Sequence, residues 1–212
     1  MSDSEYSNDD KRHVWHPFTQ AQTAPDPIAI RAGRGAVLYA EDGREFIDLI
    51  SSWWVTLHGH SHPKIAAAVA EQASKLEQVI FAGFTHRPAS ELARRLTSLL
   101  PGELNRVFFS DDGSTAVEVA LKMAHQFWRN KGQPHRCKYL AFSGAYHGDT
   151  VGAMSAGASS GYFNQWEDLM FEVTALPYPE TWEDDDEVEI KETASLAALD
   201  QYISDHGEDT AA

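Results

Sequence analysis

Two short apolar runs enclose a segment with helical spacing, and this alternation is the strongest constraint on the fold. The runs lie at residues 106–109 (RVFF) and 138–142 (KYLAF), and each has the length of a buried strand. The segment between them repeats apolar residues at helical spacing: Val117, Ala120, Leu121, Ala124, Phe127 and Trp128. A strand, a helix and a strand in succession predict an α/β fold with a parallel sheet.

A smaller unit precedes this alternation. Residues 36–49 predict a β-hairpin, because β-favouring residues flank a turn signal that ends at Gly43. Helical spacing begins at Pro63, which suits a first helical turn, and it returns over residues 89–100. We therefore expect three parts: a flexible tail over 1–12, part of a small domain over 13–61, and a larger domain over 62–212 with an acidic loop at 180–192.

Charge and composition exclude several function classes. The net charge is −15, and residues 180–212 hold 12 acids against the single Lys191, so most of the excess lies at one end. No basic stripe is present, and we expect no nucleic-acid partner. No apolar run is long enough for a membrane helix, and the lone Cys137 fits a reducing compartment, so a cytoplasmic location without membrane contact is expected. The alternating histidines of LHGHSHP lack a completing ligand, and no metal site is expected.

The first candidate site lies where the strand at 106–109 meets the following helix. A tight turn ends at Gly113, and the helix is predicted to open at Ser114 or Thr115, with Thr115 and Glu118 spaced as a capping box. Free backbone N–H groups and the Ser114 hydroxyl would stabilise a phosphate group at such a helix terminus. An ordinary capped connection between strand and helix has the same spacing, and both readings stay open here.

Aromatic residues mark two further candidate positions. Tyr146 follows the second strand, where residues project into the ligand crevice of α/β sheets, and its ring could cover a planar cofactor or only pack the strand end. Trp53 and Trp54 follow the hairpin. On an extended segment adjacent side chains point to opposite faces, so one ring would be free to line a pocket for a long apolar substrate. Both rings could equally be packing residues.

Four segments in combination resemble the class III, fold type I aminotransferases that use pyridoxal 5'-phosphate. They are HVWHPFTQ, SSWWVTLHGHSHPKI, SDDGSTAVEVALKMAHQFW and FSGAYHGDTVGAMS. The resemblance runs from about His13 onward and implies a fold type I α/β architecture that is incomplete here, with part of the small domain and the first part of the large parallel-sheet domain. The paired tryptophans and the AVEVALKMA helix are most similar to members of biotin synthesis. That likeness implies S-adenosylmethionine as amino donor and 8-amino-7-oxononanoate as acceptor, giving 7,8-diaminononanoate.

The resemblance also implies roles for individual residues. Gly113 and Ser114 would bind the cofactor phosphate, and Tyr146 would stack on the pyridine ring and border the substrate. Trp53 would line the substrate pocket with Trp54 beside it. Phe18 stands where many family members have a tyrosine that contacts substrate, so a hydroxyl is missing at that point.

The chain departs from the family pattern in extent. It has about half the usual length, and none of its seven lysines stands in the context of the Schiff-base lysine. We therefore expect no catalytic residue in this chain and no activity from it alone, and a homodimer for the full-length family. Two alternatives stay open: another class III omega-aminotransferase, or a non-catalytic remnant that acts as a binding or dimerisation module.

Overall fold

The computed structural model describes residues 3–212, with side chains from Tyr6 onward. The chain forms two compact units, Met1–Leu92 and Ala93–Ala212. Among the helices of the described residues, none has the length and apolar character needed to cross a membrane.

The first unit is built around a three-stranded antiparallel sheet. Its strands are β1 (Ile30–Arg34), β2 (Val37–Ala40) and β3 (Glu45–Ile47), in the order β1-β2-β3. Leu38 pairs with Phe46, so β2 and β3 form the hairpin predicted at residues 36–49.

Four helices accompany this sheet: α1 (Asp3–His13), the short helical turn α2 (Ser51–Trp54), α3 (Pro63–Lys75) and α4 (Arg87–Thr97). Helix α4 crosses the boundary between the units. Helix α3 begins at Pro63, as the sequence predicts. Helix α1 covers residues expected to form a flexible tail. Lys11, Arg12 and His13 occupy its last turn, where positive charge stabilises the negative end of the helix dipole.

The second unit has α/β character. It contains α5 (Gly113–Asn130), β4 (Leu140–Phe142), α6 (Val151–Ala156), β5 (Thr174–Leu176) and α7 (Val188–His206), with two 3-10 helices at Ala158–Ser160 and Asn164–Leu169. Strands β4 and β5 are parallel, and Leu140 lies opposite Thr174. The predicted parallel α/β sheet is confirmed for these two strands.

Two predicted boundaries differ from the structure. The sequence predicts a strand over residues 106–109, but no strand among residues 3–212 pairs with them; β4 pairs with the later strand β5. The acidic loop expected over 180–192 gives way to α7 at Val188. Within that loop the Asp185 carboxylate is 2% exposed and pairs with Lys191 Nζ at 2.8 Å. This ion pair therefore joins the acidic loop to helix α7.

The apolar core is small and lies mainly in the second unit. Its buried members there are Ala153, Met154, Phe163, Leu176 and Tyr202. Helices α3 and α4 have no buried residue. Their apolar faces therefore lack cover within the described chain.

Candidate functional site

The N-terminus of α5 is shaped by a capping box. Asp112 is the N-cap residue: its carboxylate accepts the backbone N–H of Thr115 at 2.8 Å, and the Thr115 hydroxyl accepts the backbone N–H of Asp112 at 3.0 Å. The predicted box of Thr115 with Glu118 is therefore wrong, because the helix begins at Gly113 and Thr115 occupies its third position. Glu118 instead accepts the backbone N–H groups of Gly152 and Ala153, at the start of α6.

Two backbone N–H donors stay open at this terminus, meaning that no described group accepts from them. The capping box satisfies Thr115, and Ala116 donates to Asp112 O at 3.0 Å. Within residues 3–212, the backbone N–H groups of Gly113 and Ser114 have no acceptor. They lie at the positive end of an 18-residue helix, a position that stabilises an anion.

The Ser114 hydroxyl lies beside these donors and is oriented by Thr150. Ser114 Oγ accepts the backbone N–H of Thr150 at 2.9 Å and lies 2.7 Å from Thr150 Oγ1. A hydroxyl has one proton and two acceptor positions. If the Thr150 hydroxyl donates, both acceptor positions of Ser114 are filled, and its proton can be donated to an anion.

The segment that follows β4 comes into contact with the N-terminus of α5 at Gly148. A Cβ atom at Gly148 would lie 2.3 Å from Ser114 Cβ, so only glycine permits this approach. The φ angle of Gly148 is +119°, in a region that other residues rarely adopt. Because Tyr146 lies two residues before Gly148, the segment that bears this ring approaches the α5 terminus. Sequence reasoning notes Gly148 in the GAYHGDT segment after the second strand without giving it a role, and it does not single out Thr150.

The Tyr146 ring packs against a buried aromatic side chain. It stacks on Phe163 with centroids 5.9 Å apart and an interplanar angle of 24°, and Phe163 is only 3% exposed. The Tyr146 hydroxyl donates to Asp149 at 2.9 Å, and this hydrogen bond raises the pKa of the phenol. Tyr146 itself is 55% exposed. Exposed ring surface is therefore available to a planar ligand.

A cavity adjoins this site along the end of β4. Its volume is about 420 Å³, within the range of small-molecule pockets. Its wall includes Phe142, Gly144, His147 and Tyr178, but neither Ser114 nor Tyr146. The cavity therefore extends the apolar surroundings of the site and does not contain the open donors.

The paired tryptophans lie in the first unit, on a left-handed turn. All four residues of α2, Ser51 to Trp54, have φ between +46° and +71°. The turn closes through the Trp54 N–H to Ile50 O, at 2.8 Å, and the Val55 N–H to Ser51 O, at 3.0 Å. The expectation of an extended segment with opposed rings is therefore wrong, since neighbouring residues of a helical turn do not alternate between two faces.

This backbone conformation is strained. A left-handed helical residue other than glycine costs roughly 1–2 kcal/mol, and such residues normally occur singly. Asp48 compensates part of the strain by accepting hydrogen bonds: Oδ1 accepts the backbone N–H of Ile50 at 3.2 Å, and Oδ2 accepts Ser52 Oγ and His60 Nε2, each at 2.8 Å. Ser52, through its backbone N–H and its hydroxyl, and then His60 lower the pKa of Asp48 to about 2.

The other predicted substrate residue, Phe18, contacts the turn. Its ring centroid lies 5.1 Å from that of Trp53, with 53° between the planes. Both side chains are more than half exposed, and Trp54 is 71% exposed. The first unit therefore carries an open aromatic surface made of Phe18, Trp53 and Trp54.

The alternating histidines do not form a joint site. His60 pairs with Asp48, whereas the rings of His58 and His62 lie 6.0 Å apart in an edge contact. In the part of the chain that the structure describes, no group of three or more potential ligands is arranged to hold a metal ion.

Comparison with known proteins gives consistent matches over nearly the whole chain. The family model for "Aminotransferase class-III" matches residues 18–212. The adenosylmethionine-8-amino-7-oxononanoate aminotransferase of Synechococcus elongatus is 58% identical over 192 residues, which are 91% of this chain and 45% of that protein.

Solved structures agree. The adenosylmethionine-8-amino-7-oxononanoate aminotransferase of Methanocaldococcus jannaschii superposes with a TM-score of 0.84 at 32% identity, over 98% of this chain and 45% of that one. An omega transaminase from Pseudomonas jessenii, in complex with PMP, gives a TM-score of 0.83 at 26% identity, over 96% and 47%. The chain thus spans about half the length of the relatives it matches.

The close approach at Gly148 leads to a prediction about Gly148→Ala. The substitution should lower the free energy of unfolding by about 2–4 kcal/mol, because the methyl group meets Ser114 and φ is positive. Urea unfolding followed by circular dichroism measures it. The control Gly144→Ala also has a positive φ, of +72°, but its methyl group meets no atom within 4 Å. It should cost only about 1 kcal/mol. Equal losses in the two variants would contradict the contact.

The network around Asp48 leads to a prediction about pH. Because the pKa of Asp48 is lowered, its stabilising effect is complete above the ordinary aspartate value of about 3.9 and is lost as the pH falls towards 2. Carbon-13 NMR of the carboxyl group should give a midpoint near 2. Ser52→Ala should raise the midpoint of Asp48 towards the ordinary value and leave the midpoint of Asp42 unchanged. An Asp48 midpoint at the ordinary value in the unsubstituted chain would contradict the network.

Proposed function

Because the chain belongs to the class III aminotransferase family, we propose that it carries the phosphate-binding and aromatic part of a biotin-pathway aminotransferase. The reaction would transfer an amino group from S-adenosylmethionine to 8-amino-7-oxononanoate and give 7,8-diaminononanoate. Two relatives that the chain matches bear the name of that activity. The observation that carries the proposal is the α5 terminus, where two open N–H groups and the Ser114 hydroxyl meet the segment that bears Tyr146.

The cofactor of the class III aminotransferase family is pyridoxal 5'-phosphate, and the residues of this terminus fit it. The backbone N–H groups of Gly113 and Ser114 would donate to its phosphate, together with the Ser114 hydroxyl. The exposed surface of Tyr146 would stack on its ring, held in place by Phe163. When bound, this cofactor stores the amino group between its release by the donor and its uptake by the acceptor.

The aromatic surface of Phe18, Trp53 and Trp54 suits the proposed acceptor. The carbon chain of 8-amino-7-oxononanoate is long and apolar, and large rings remove such a chain from water efficiently. Phe18 has no hydroxyl, so it would contribute through packing alone. The tilted contact between Phe18 and Trp53 supports this reading, because the two rings already form one wall.

Proton transfer at the reacting carbon would need a group that this chain does not offer. The resemblance assigns the Schiff-base lysine to the part of the family that the chain does not span, and none of its seven lysines has a comparable context. We propose that this chain alone is inactive and that the complete site belongs to a cytoplasmic homodimer. The two alternatives are another class III omega-aminotransferase and a non-catalytic binding or dimerisation module.

The phosphate assignment predicts a selective loss of affinity. Ser114→Ala should weaken binding of pyridoxal 5'-phosphate about tenfold, because a charge-assisted hydrogen bond contributes about 1.5–3 kcal/mol. Binding of pyridoxal, which lacks the phosphate, should not change. Fluorescence titration gives both dissociation constants. Thr150→Val, which removes the neighbouring hydroxyl and keeps the backbone N–H that orients Ser114, should weaken binding of pyridoxal 5'-phosphate less than Ser114→Ala does. Equal losses for both ligands would contradict a phosphate role.

A reconstitution assay tests the reaction. The chain is mixed with the part of the Synechococcus elongatus relative that it does not span, and 7,8-diaminononanoate is measured by mass spectrometry. We expect product that depends on S-adenosylmethionine, and at least tenfold less with Trp53→Ala, since the acceptor's carbon chain would lose apolar contact worth about 1.5–3 kcal/mol. Activity with other amines alone would favour the omega-aminotransferase. Stoichiometric borohydride trapping of the cofactor on one lysine of this chain would contradict its proposed lack of a catalytic lysine.

A further inference from the structure

We propose that Asp48 is a positioning residue, which fixes the direction of Trp53 by holding the turn Ser51–Trp54 in its left-handed form. Only the assignment of Trp53 to a substrate pocket rests on the proposed function. The mechanical role of Asp48 follows from contacts within the first unit.

The first step of the argument is that this turn needs external support. Ser51, Ser52, Trp53 and Trp54 all have positive φ, and none of them is glycine. Strained backbone of this kind persists only where surrounding contacts over-determine it. The hydrogen bonds that close the turn, at Trp54 and Val55, are also available to a right-handed helix and do not select the hand.

The second step is that Asp48 contacts the turn at two points. Its Oδ1 accepts the backbone N–H of Ile50 at the entrance, and its Oδ2 accepts the hydroxyl of Ser52 in the middle. The carboxylate is 5% exposed, so water competes little for these hydrogen bonds. A single rigid group thus links the entrance of the turn with its second residue.

The third step is that Asp48 is itself fixed to the sheet. Its backbone N–H donates to Ala36 O at 2.8 Å, and His60 Nε2 donates to Oδ2. His60 forms a backbone bridge with Gly35 and packs against Gly33, where a Cβ atom would lie 2.9 Å from the His60 side chain. The chain of contacts therefore runs from the edge of the sheet through His60 and Asp48 to the turn.

The consequence concerns the ring that follows Ser52. With the turn left-handed, Trp53 meets Phe18 at 5.1 Å. A right-handed turn would send the Trp53 side chain in another direction and separate the two rings. Asp48 accepts hydrogen bonds from Ile50, Ser52 and His60, and it would act on the aromatic surface through backbone geometry.

Fluorine NMR of the full 212-residue chain, labelled with 5-fluorotryptophan and free of ligand, tests the proposal. Trp53→Phe and Trp54→Phe assign the two resonances, and Phe18→Leu gives the position of the Trp53 signal without its neighbouring ring. Asp48→Asn should move the Trp53 signal to that position and leave Trp128, Trp166 and Trp182 unchanged. Asp42→Asn is the matched control, because Asp42 also accepts a backbone N–H and a side-chain donor, both from Arg44. It should move none of the signals.

Two further variants separate positioning from general folding. Ser51→Gly in the Asp48→Asn chain should return the Trp53 signal towards its original place, because glycine adopts the positive φ of Ser51 without strain. If Asp48→Asn unfolds the chain, Ser52→Ala, which removes one hydrogen bond only, should still shift Trp53. An unchanged Trp53 signal in Asp48→Asn, or in Ser52→Ala where the first variant unfolds, would overturn the proposal. The measurement needs neither cofactor nor substrate, so failure of the reconstitution assay leaves its result intact.

Discussion

The approach of Ser114 to Gly148 is the contact on which the candidate site depends. It brings the α5 terminus and the loop between β4 and α6 close enough for Thr150 to orient the Ser114 hydroxyl. Without it, the open donors of α5 and the ring of Tyr146 would be two unrelated surface features. A side chain at position 148 is incompatible with this approach, so glycine permits the contact and the hydrogen bonds between Ser114 and Thr150 stabilise it. Glu118 adds a second link, from α5 to the start of α6.

The Asp112 carboxylate counts against an anion site, because it stands at the same helix terminus. The capping box resolves this conflict only in part. The carboxylate turns towards the third helical residue, Thr115, and leaves the N–H groups of the first two open. Its negative charge still lowers the potential that a phosphate would meet, which increases the share of binding that must come from direct hydrogen bonds. The Ser114 hydroxyl therefore matters more here than at a terminus capped by a neutral residue.

Sequence periodicity predicted the helices and the hairpin well, because helical and strand spacing is local information. Pro63 as a helix start and the β2–β3 pairing are examples. The left-handed turn could not be predicted in this way, since its hand depends on Asp48 and on His60, which is twelve residues further on. The strand predicted at 106–109 failed for the opposite reason: its composition is right, but a strand exists only with a neighbour. The site residues Gly113, Ser114 and Tyr146 stay predictions, although the structure brings their segments together.

In the first unit, polar contacts stabilise a local conformation although few apolar residues are buried. Ala40 is its only buried apolar residue among those whose burial is described. Helix α3 has the apolar spacing of a packed helix, yet Ile65 and Val69 on that face are about half exposed or more. Apolar packing within the unit therefore cannot hold the strained turn. The hydrogen bonds of Asp48 are what remains, and a shielded carboxylate with three donors directs a backbone more specifically than a non-directional apolar contact could.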